Sequence, residues 1–252
     1  YLGLNSLFAS VLTVLNLAEL GFGSAIVFCM YRPVAEDDHE TINALLHYYR
    51  RIYRYIGLVI LGIGLLLVPF LPYLVNGSCP PDINLTVVYL VFLGNTVMSY
   101  FLFGYRMGLI TAFQREDLIS KVDFFISGII CGLQITILLT VRNYYVYLLV
   151  LPLSTIINNI RTLLISRWKF SQYSPQSGLS AKQKEIIKEK VSGLMISKVS
   201  AASRNSLDSI FIAMFMGLVA TAKYTNYCYV MHSIVAALRV LTDAVTGGVG
   251  NS

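Results

Sequence analysis

The stretch Tyr55-Ile56-Gly57-Leu58-Val59-Ile60-Leu61-Gly62-Ile63-Gly64-Leu65-Leu66-Leu67-Val68-Pro69-Phe70-Leu71-Pro72-Tyr73-Leu74-Val75 carries no charged residue along its whole length. A helix rises about 1.5 Å per residue, so a run of this length covers the roughly 30 Å hydrocarbon core of a bilayer. Its continuous apolarity differs from the alternating pattern of a membrane β-strand. In lipid every backbone group must be bonded internally, so the stretch is read as a transmembrane helix. Six further segments read the same way: 6–31, 85–105, 122–141, 144–166, 191–219 and 224–245, the segment 191–219 being polar in its first half. The expected fold is an all-α, polytopic transmembrane helix bundle.

Composition agrees. Hydrophobic residues make up 56% of the 252 and charged residues 13%, about half the charged fraction of a soluble domain, roughly 25%. Mean hydropathy is +0.67. Polar groups are too few to cover the surface, so lipid must cover part of it. Membrane lipids are therefore expected neighbours, and no basic nucleic-acid-binding pattern is present. Cys29, Cys79, Cys131 and Cys228 form no CxxC pair and have no metal-ligand spacing, so they read as small apolar residues, and no cofactor is expected.

The cations are distributed unevenly. Arg32, Arg50, Arg51 and Arg54 follow the first span. Arg106, Arg115 and Lys121 follow the third. Arg167, Lys169, Lys182, Lys184, Lys188 and Lys190 follow the fifth. The alternate connections hold only Arg142 and Lys223. Positive connections face the cytoplasm, so the chain is expected to enter from outside at Tyr1, with the Cys79 loop external. The acidic run around His39 reads as solvated loop. Asn76-Gly77-Ser78 and Asn84-Leu85-Thr86 match the glycosylation pattern. Ser180 and Gln183 have capping-box spacing, which predicts a helix start in the polar stretch 170–190. Leu179, Ile186, Ile187 and Val191 give that stretch one apolar face. The chain begins Tyr1-Leu2-Gly3 and ends directly after an apolar run, so it is expected to be part of a longer protein.

No nucleophile elbow, Walker loop, HExxH or dinucleotide motif is present, and no enzymatic activity is expected. The informative residues are charges at membrane depth, which cost several kcal/mol unless paired or facing water. Glu19 sits within 6–31. Arg161 follows Asn158 and Asn159. Lys198, Arg204, Asn205 and Asp208 crowd the sixth segment, and Arg239 lies deep in the last. Asp123, near the start of the fourth, reads as interfacial. At spacings of seven and three, Lys198, Asn205 and Asp208 share one helix face, and Arg204 can pair with Asp208 at i,i+4. Cations outnumber carboxylates in this set, which suits an anionic ligand such as a phosphate, since arginine binds its oxygens bidentately. Interhelical ion pairing is the competing structural reading. Gly104 with Gly108, and Gly128 with Gly132, have the spacing of close helix packing.

The residues Tyr1-Leu2-Gly3-Leu4-Asn5-Ser6-Leu7-Phe8 and Leu17-Ala18-Glu19-Leu20-Gly21-Phe22-Gly23-Ser24-Ala25-Ile26 resemble polysaccharide flippases of the Wzx type. These belong to the multidrug/oligosaccharidyl-lipid/polysaccharide exporter superfamily. Asn205-Ser206-Leu207-Asp208-Ser209-Ile210-Phe211-Ile212, Gly217-Leu218-Val219, Tyr224-Thr225-Asn226-Tyr227 and Gly250-Asn251 continue the resemblance. Leu207 and Ser209 stand where that family commonly has Thr and Asn. The resemblance implies a MATE-like two-lobe exporter fold, with helices two to eight present out of about twelve to fourteen. Residues 1–168 would form the N-terminal lobe without its first helix, 169–190 a cytoplasmic amphipathic linker, and 191–252 the first two helices of the C-terminal lobe. It implies a bacterial plasma-membrane protein that moves undecaprenyl-pyrophosphate-linked oligosaccharide between leaflets by alternating access, alongside polysaccharide biosynthesis machinery. The cationic set would then dock the pyrophosphate. A multidrug or lipid II exporter of the same superfamily is the alternative. A membrane-embedded glycan polymerase fits less well, because the outer loops are short.

Overall fold

The structure is a computed structural model. It describes residues 1–19, 21–75, 82–175, 178–179, 183–187, 189, 191 and 207–249, without the side chains of 17, 18, 237 and 239–249. Among the described residues the chain is all helical, without strands. The helices are α1 (Leu2–Leu15), α2 (Phe22–Ala35), α3 (His39–Leu67), α4 (Leu71–Leu74), α5 (Leu85–Phe101), α6 (Tyr105–Ala112), α7 (Asp117–Thr140), α8 (Tyr144–Lys169), α9 (Leu207–Met216) and α10 (Leu218–Val249).

Among the described residues three spans are long and apolar enough to cross a membrane: His39–Leu74, Asp117–Thr140 and Tyr144–Lys169. The count is four when α5 and α6, bent by 52° at their junction, are taken as one. The expected segment 6–31 is not one helix. It divides into α1, a 3-10 turn at Asn16–Glu19 and α2. Gly21 adopts φ 83° there, a left-handed backbone that only glycine takes without strain. The second span begins far earlier than expected. Asp38 caps it by accepting from the Thr41 amide at 3.0 Å, and Ile42, Leu45, Leu46 and Tyr49 bury one face at helical spacing. Arg50, Arg51 and Arg54 therefore lie on α3, not in a loop. Lys223 likewise lies within α10, because the chain turns earlier, at Gly217 with φ 84°.

The alternate connections gather at opposite ends of the bundle. At one end Tyr1 donates to Asp82 at 2.5 Å, the Asn84 amide donates to the Tyr145 hydroxyl at 2.8 Å, and Tyr144 donates to Asn5. At the other, Phe113 packs against Phe170 and Tyr173, His39 stacks on Tyr173, and the Ser174 amide donates to Asn43 at 2.8 Å. The cation-rich connections share the second end, as the charge pattern predicts. Leu179, Ile187 and Val191 of the polar stretch bury themselves there, whereas Ile186 stays exposed. Residues 183–187 are helical. Ser180 and the Cys79 loop lie outside the described residues.

Two apolar clusters fill the bundle. Leu4, Leu7, Phe8, Ile60, Val88, Tyr89 and Leu93 belong to one, and Ala25, Ile26, Met30, Leu46, Leu109 and Ile110 to the other. Lipid supplies no hydrophobic drive between helices, so close packing must hold them together. Glycines provide it on α3: a Cβ at Gly64 would stand 2.4 Å from Leu93 Cδ1, and one at Gly57 would stand 2.8 Å from the Phe101 ring. A Cβ at Gly108 would meet the Tyr49 ring at 2.5 Å, so the expected close packing holds there. Gly128 and Gly132 face open space instead, on a helix that buries only Ile119.

Candidate functional site

Between the two apolar clusters lies a polar seam. The 3-10 turn at Asn16–Glu19 ends α1 and points the Glu19 carboxylate toward α3 and α5. Tyr53 of α3 donates to Glu19 Oε1 at 2.6 Å. Tyr100, one residue before the end of α5, donates to Glu19 Oε2 at 3.1 Å and shares its proton with Asn16 Oδ1 at 3.2 Å. Tyr49, one turn before Tyr53, donates to the Tyr53 hydroxyl at 3.0 Å. The rings of Tyr49 and Tyr53 meet edge-on with centroids 4.6 Å apart, and those of Tyr53 and Tyr100 are 5.3 Å apart. Phe22 and Tyr53 pack against both apolar clusters, which places this seam between them.

Glycine makes the room. A Cβ at Gly23 would stand 2.7 Å from the Tyr49 hydroxyl and 3.1 Å from Glu19 Oε1. Among the described residues no Lys, Arg or His pairs with Glu19. An ionised carboxylate accepts about four hydrogen bonds. Two tyrosine hydroxyls leave capacity for a proton, a small cation or a cationic group.

A second broken helix adjoins the seam. Where α5 bends into α6, the Phe103 amide donates to Asn159 Oδ1 at 3.0 Å. Asn159 in turn donates to the Thr155 carbonyl at 2.9 Å, and Thr155 donates to Asn95 at 2.6 Å. Arg106, 7% exposed, donates to Ser166 Oγ at 3.0 Å and lies near the Tyr105 ring. Thr155, Asn159, Thr162 and Ser166 thus form a polar stripe at spacings of four, three and four on α8, facing α5 and α6. A broken membrane helix is tolerated where neighbouring side chains satisfy its freed backbone groups, and Asn159 of this stripe does so for the Phe103 amide.

The expected site residues do not converge among the described residues. Glu19 belongs to the seam. Arg161, its side chain 11% exposed, is engaged by Asp123 of α7. Asp123 is thus an ion-pair partner rather than a merely interfacial residue. Asp208 is exposed and accepts from the Tyr224 hydroxyl at 2.7 Å across the Gly217 turn. Arg239 lies on α10, its side chain outside the described set. Lys198, Arg204 and Asn205, with the expected Arg204–Asp208 pair, lie outside it too. The three seam tyrosines escape a search for charges. Their only sequence signal is the i,i+4 spacing of Tyr49 and Tyr53 on a face that becomes apolar. Arg106 reads as one topogenic cation among several.

No family model, no curated protein and no solved structure matches this chain.

Proposed function

We propose that this protein is a multi-pass membrane transporter of the polysaccharide-flippase kind, carrying lipid-linked oligosaccharide outward across a bacterial plasma membrane. The observation that carries the transport reading is Glu19. It is a carboxylate at the break between α1 and α2, held by tyrosines from α3 and α5 and adjoining the bend between α5 and α6. Tyr53 lies between Arg51 and Arg54 on α3, so Glu19 sits at the cationic level of the bundle, enclosed by its helices. Ionisable groups enclosed by membrane helices mark substrate or ion pathways, and discontinuous helices that expose polar backbone are how secondary transporters build such sites.

The cargo reading rests on the sequence resemblance, as do the MATE-like two-lobe fold and the assignment of 191–252 to a second lobe. The phosphate-docking role is proposed for Lys198, Arg204 and Arg239, with Asn205 and Asp208 as polar neighbours. Arg161 has a weaker claim, since Asp123 already neutralises it. Alternating access would then move the two lobes about this polar interior.

The test is made in the intact protein in its own membrane. Glu19→Ala should abolish export of surface polysaccharide and leave lipid-linked oligosaccharide on the inner leaflet. Full export by Glu19→Ala at normal expression overturns the transport site. Export of a different solute with no change in surface polysaccharide keeps the site and overturns the cargo.

A further inference from the structure

Midway along α3 lies a feature separate from the Glu19 seam. His47, Arg50, Arg51, Arg54, Tyr55 and Leu58 line an open groove of about 410 Å³. Three guanidinium groups thus lie within five consecutive residues, and among the described residues none of them forms an ion pair. Arg50 lies 5.8 Å from the Tyr105 ring and Arg51 lies 6.0 Å from the Tyr55 ring. Both rings face the guanidinium groups without neutralising them, because a cation over an aromatic face keeps its charge.

The groove has a direction. His47, Arg51, Arg54 and Leu58 repeat at spacings of four, three and four, so they form one stripe along α3. The same stripe continues to Leu65, and Leu66 flanks it; both are exposed and apolar. Arg51 to Leu58 covers about 10 Å of helix, and the apolar stretch beyond it is bilayer-deep. Tyr55, 57% exposed, stands where the stripe changes from charged to apolar. That is the position at which tyrosine rings settle at a membrane–water boundary. One face of α3 thus offers cationic forks at headgroup depth and an aliphatic track directly below.

From this we infer that the Arg50–Arg51–Arg54 groove binds the phosphate headgroup of an anionic membrane lipid, whose acyl chains lie along Leu58, Leu65 and Leu66. The arginine forks match phosphate oxygens bidentately, and with no carboxylate partner among the described residues they are open to such a ligand. A soluble phosphate would use only the charged half of the stripe. A zwitterionic lipid brings the same phosphate together with a quaternary ammonium, whose positive charge the three guanidinium groups repel.

Native mass spectrometry of the intact protein in detergent tests this, with phosphatidylglycerol and phosphatidylcholine titrated separately. The protein should retain phosphatidylglycerol preferentially. The triple change Arg50→Gln, Arg51→Gln, Arg54→Gln should weaken retention about a hundredfold, at about fivefold per arginine near a membrane surface. Arg142→Gln, at the other end of the bundle, should have no effect. The triple Arg→Lys variant keeps the charge and the fold and should fall between wild type and the Gln variant. Should the triple Gln protein fail to fold, Arg54→Gln alone must still show its fivefold loss. Equal retention by wild type and the Gln variants overturns the site. So does equal retention of the two lipids, or displacement of phosphatidylglycerol by millimolar inorganic phosphate.

Discussion

Tyr53 donates a 2.6 Å hydrogen bond to Glu19, joining residues 34 positions apart in the chain across the break that separates α1 from α2. The bond explains why a carboxylate is tolerated inside the helix bundle. A hydrogen bond to a charged group is worth about 1.5–3 kcal/mol, and leaving a buried one unmade costs the desolvation of the group. Tyr53→Phe should therefore lower the unfolding free energy of the protein in detergent by about 1–3 kcal/mol. In a double-mutant cycle with Glu19→Gln the two losses should be markedly less than additive. Additive losses would mean that the two side chains do not act on each other.

α10 lies on α1 in parallel, with Gly3 against Leu218 and the Ser6 and Thr225 hydroxyls 2.6 Å apart. Two sulfurs can bridge that gap, since a disulfide spans about 2.05 Å between sulfurs. In a background without the native cysteines, Ser6→Cys with Thr225→Cys should cross-link on oxidation. Gly3→Ala should suppress the cross-link, because its Cβ would sit 2.0 Å from the Leu218 carbonyl oxygen and backbone cannot swing aside as a side chain can. Efficient cross-linking in the alanine variant would contradict this packing.

Arg161 and Asp123 join α8 to α7. Removing one partner of such a pair strands the other charge, whereas replacing both with apolar residues does not. Asp123→Leu alone should depress the melting temperature more than Asp123→Leu combined with Arg161→Leu. A double variant less stable than the single one would show that the guanidinium serves some other partner.

Asp38 caps α3 outside the apolar part of the span. Hydrogen bonds from Thr41, first its side chain and then its backbone amide, hold the Asp38 carboxyl below the ordinary carboxylate value. A depressed value in the folded state means that stability is present above the unfolded value and is lost as pH falls through the folded one. Wild type should be more stable than Asp38→Ala at neutral pH, and that advantage should shrink as the pH falls toward about 2, below the ordinary Asp value of about 3.9. Thermal unfolding of both proteins across this range is the measurement. An advantage that does not change with pH would show that the carboxylate is not the cap.

The residues themselves decided that this is a helical, membrane-compatible chain, because bilayer thickness and the demand for internal backbone bonding act on run length and polarity alone. The alternation of cations along the chain also foretold which connections share an end. Glu19 stood out as a charge in an apolar run. Tertiary structure alone decided where the helices break. Hydropathy averages over a whole window, and a single left-handed glycine at position 21 or a bend at 102–104 leaves that average untouched. It alone decided the partners too. Glu19 finds Tyr53 and Tyr100 from 34 and 81 residues away, and Arg161 finds Asp123 from 38. Gly108 meets a tyrosine while Gly128 and Gly132 meet nothing, although both glycine pairs have the same spacing. Spacing fixes which residues share a helix face, but only packing fixes what that face meets.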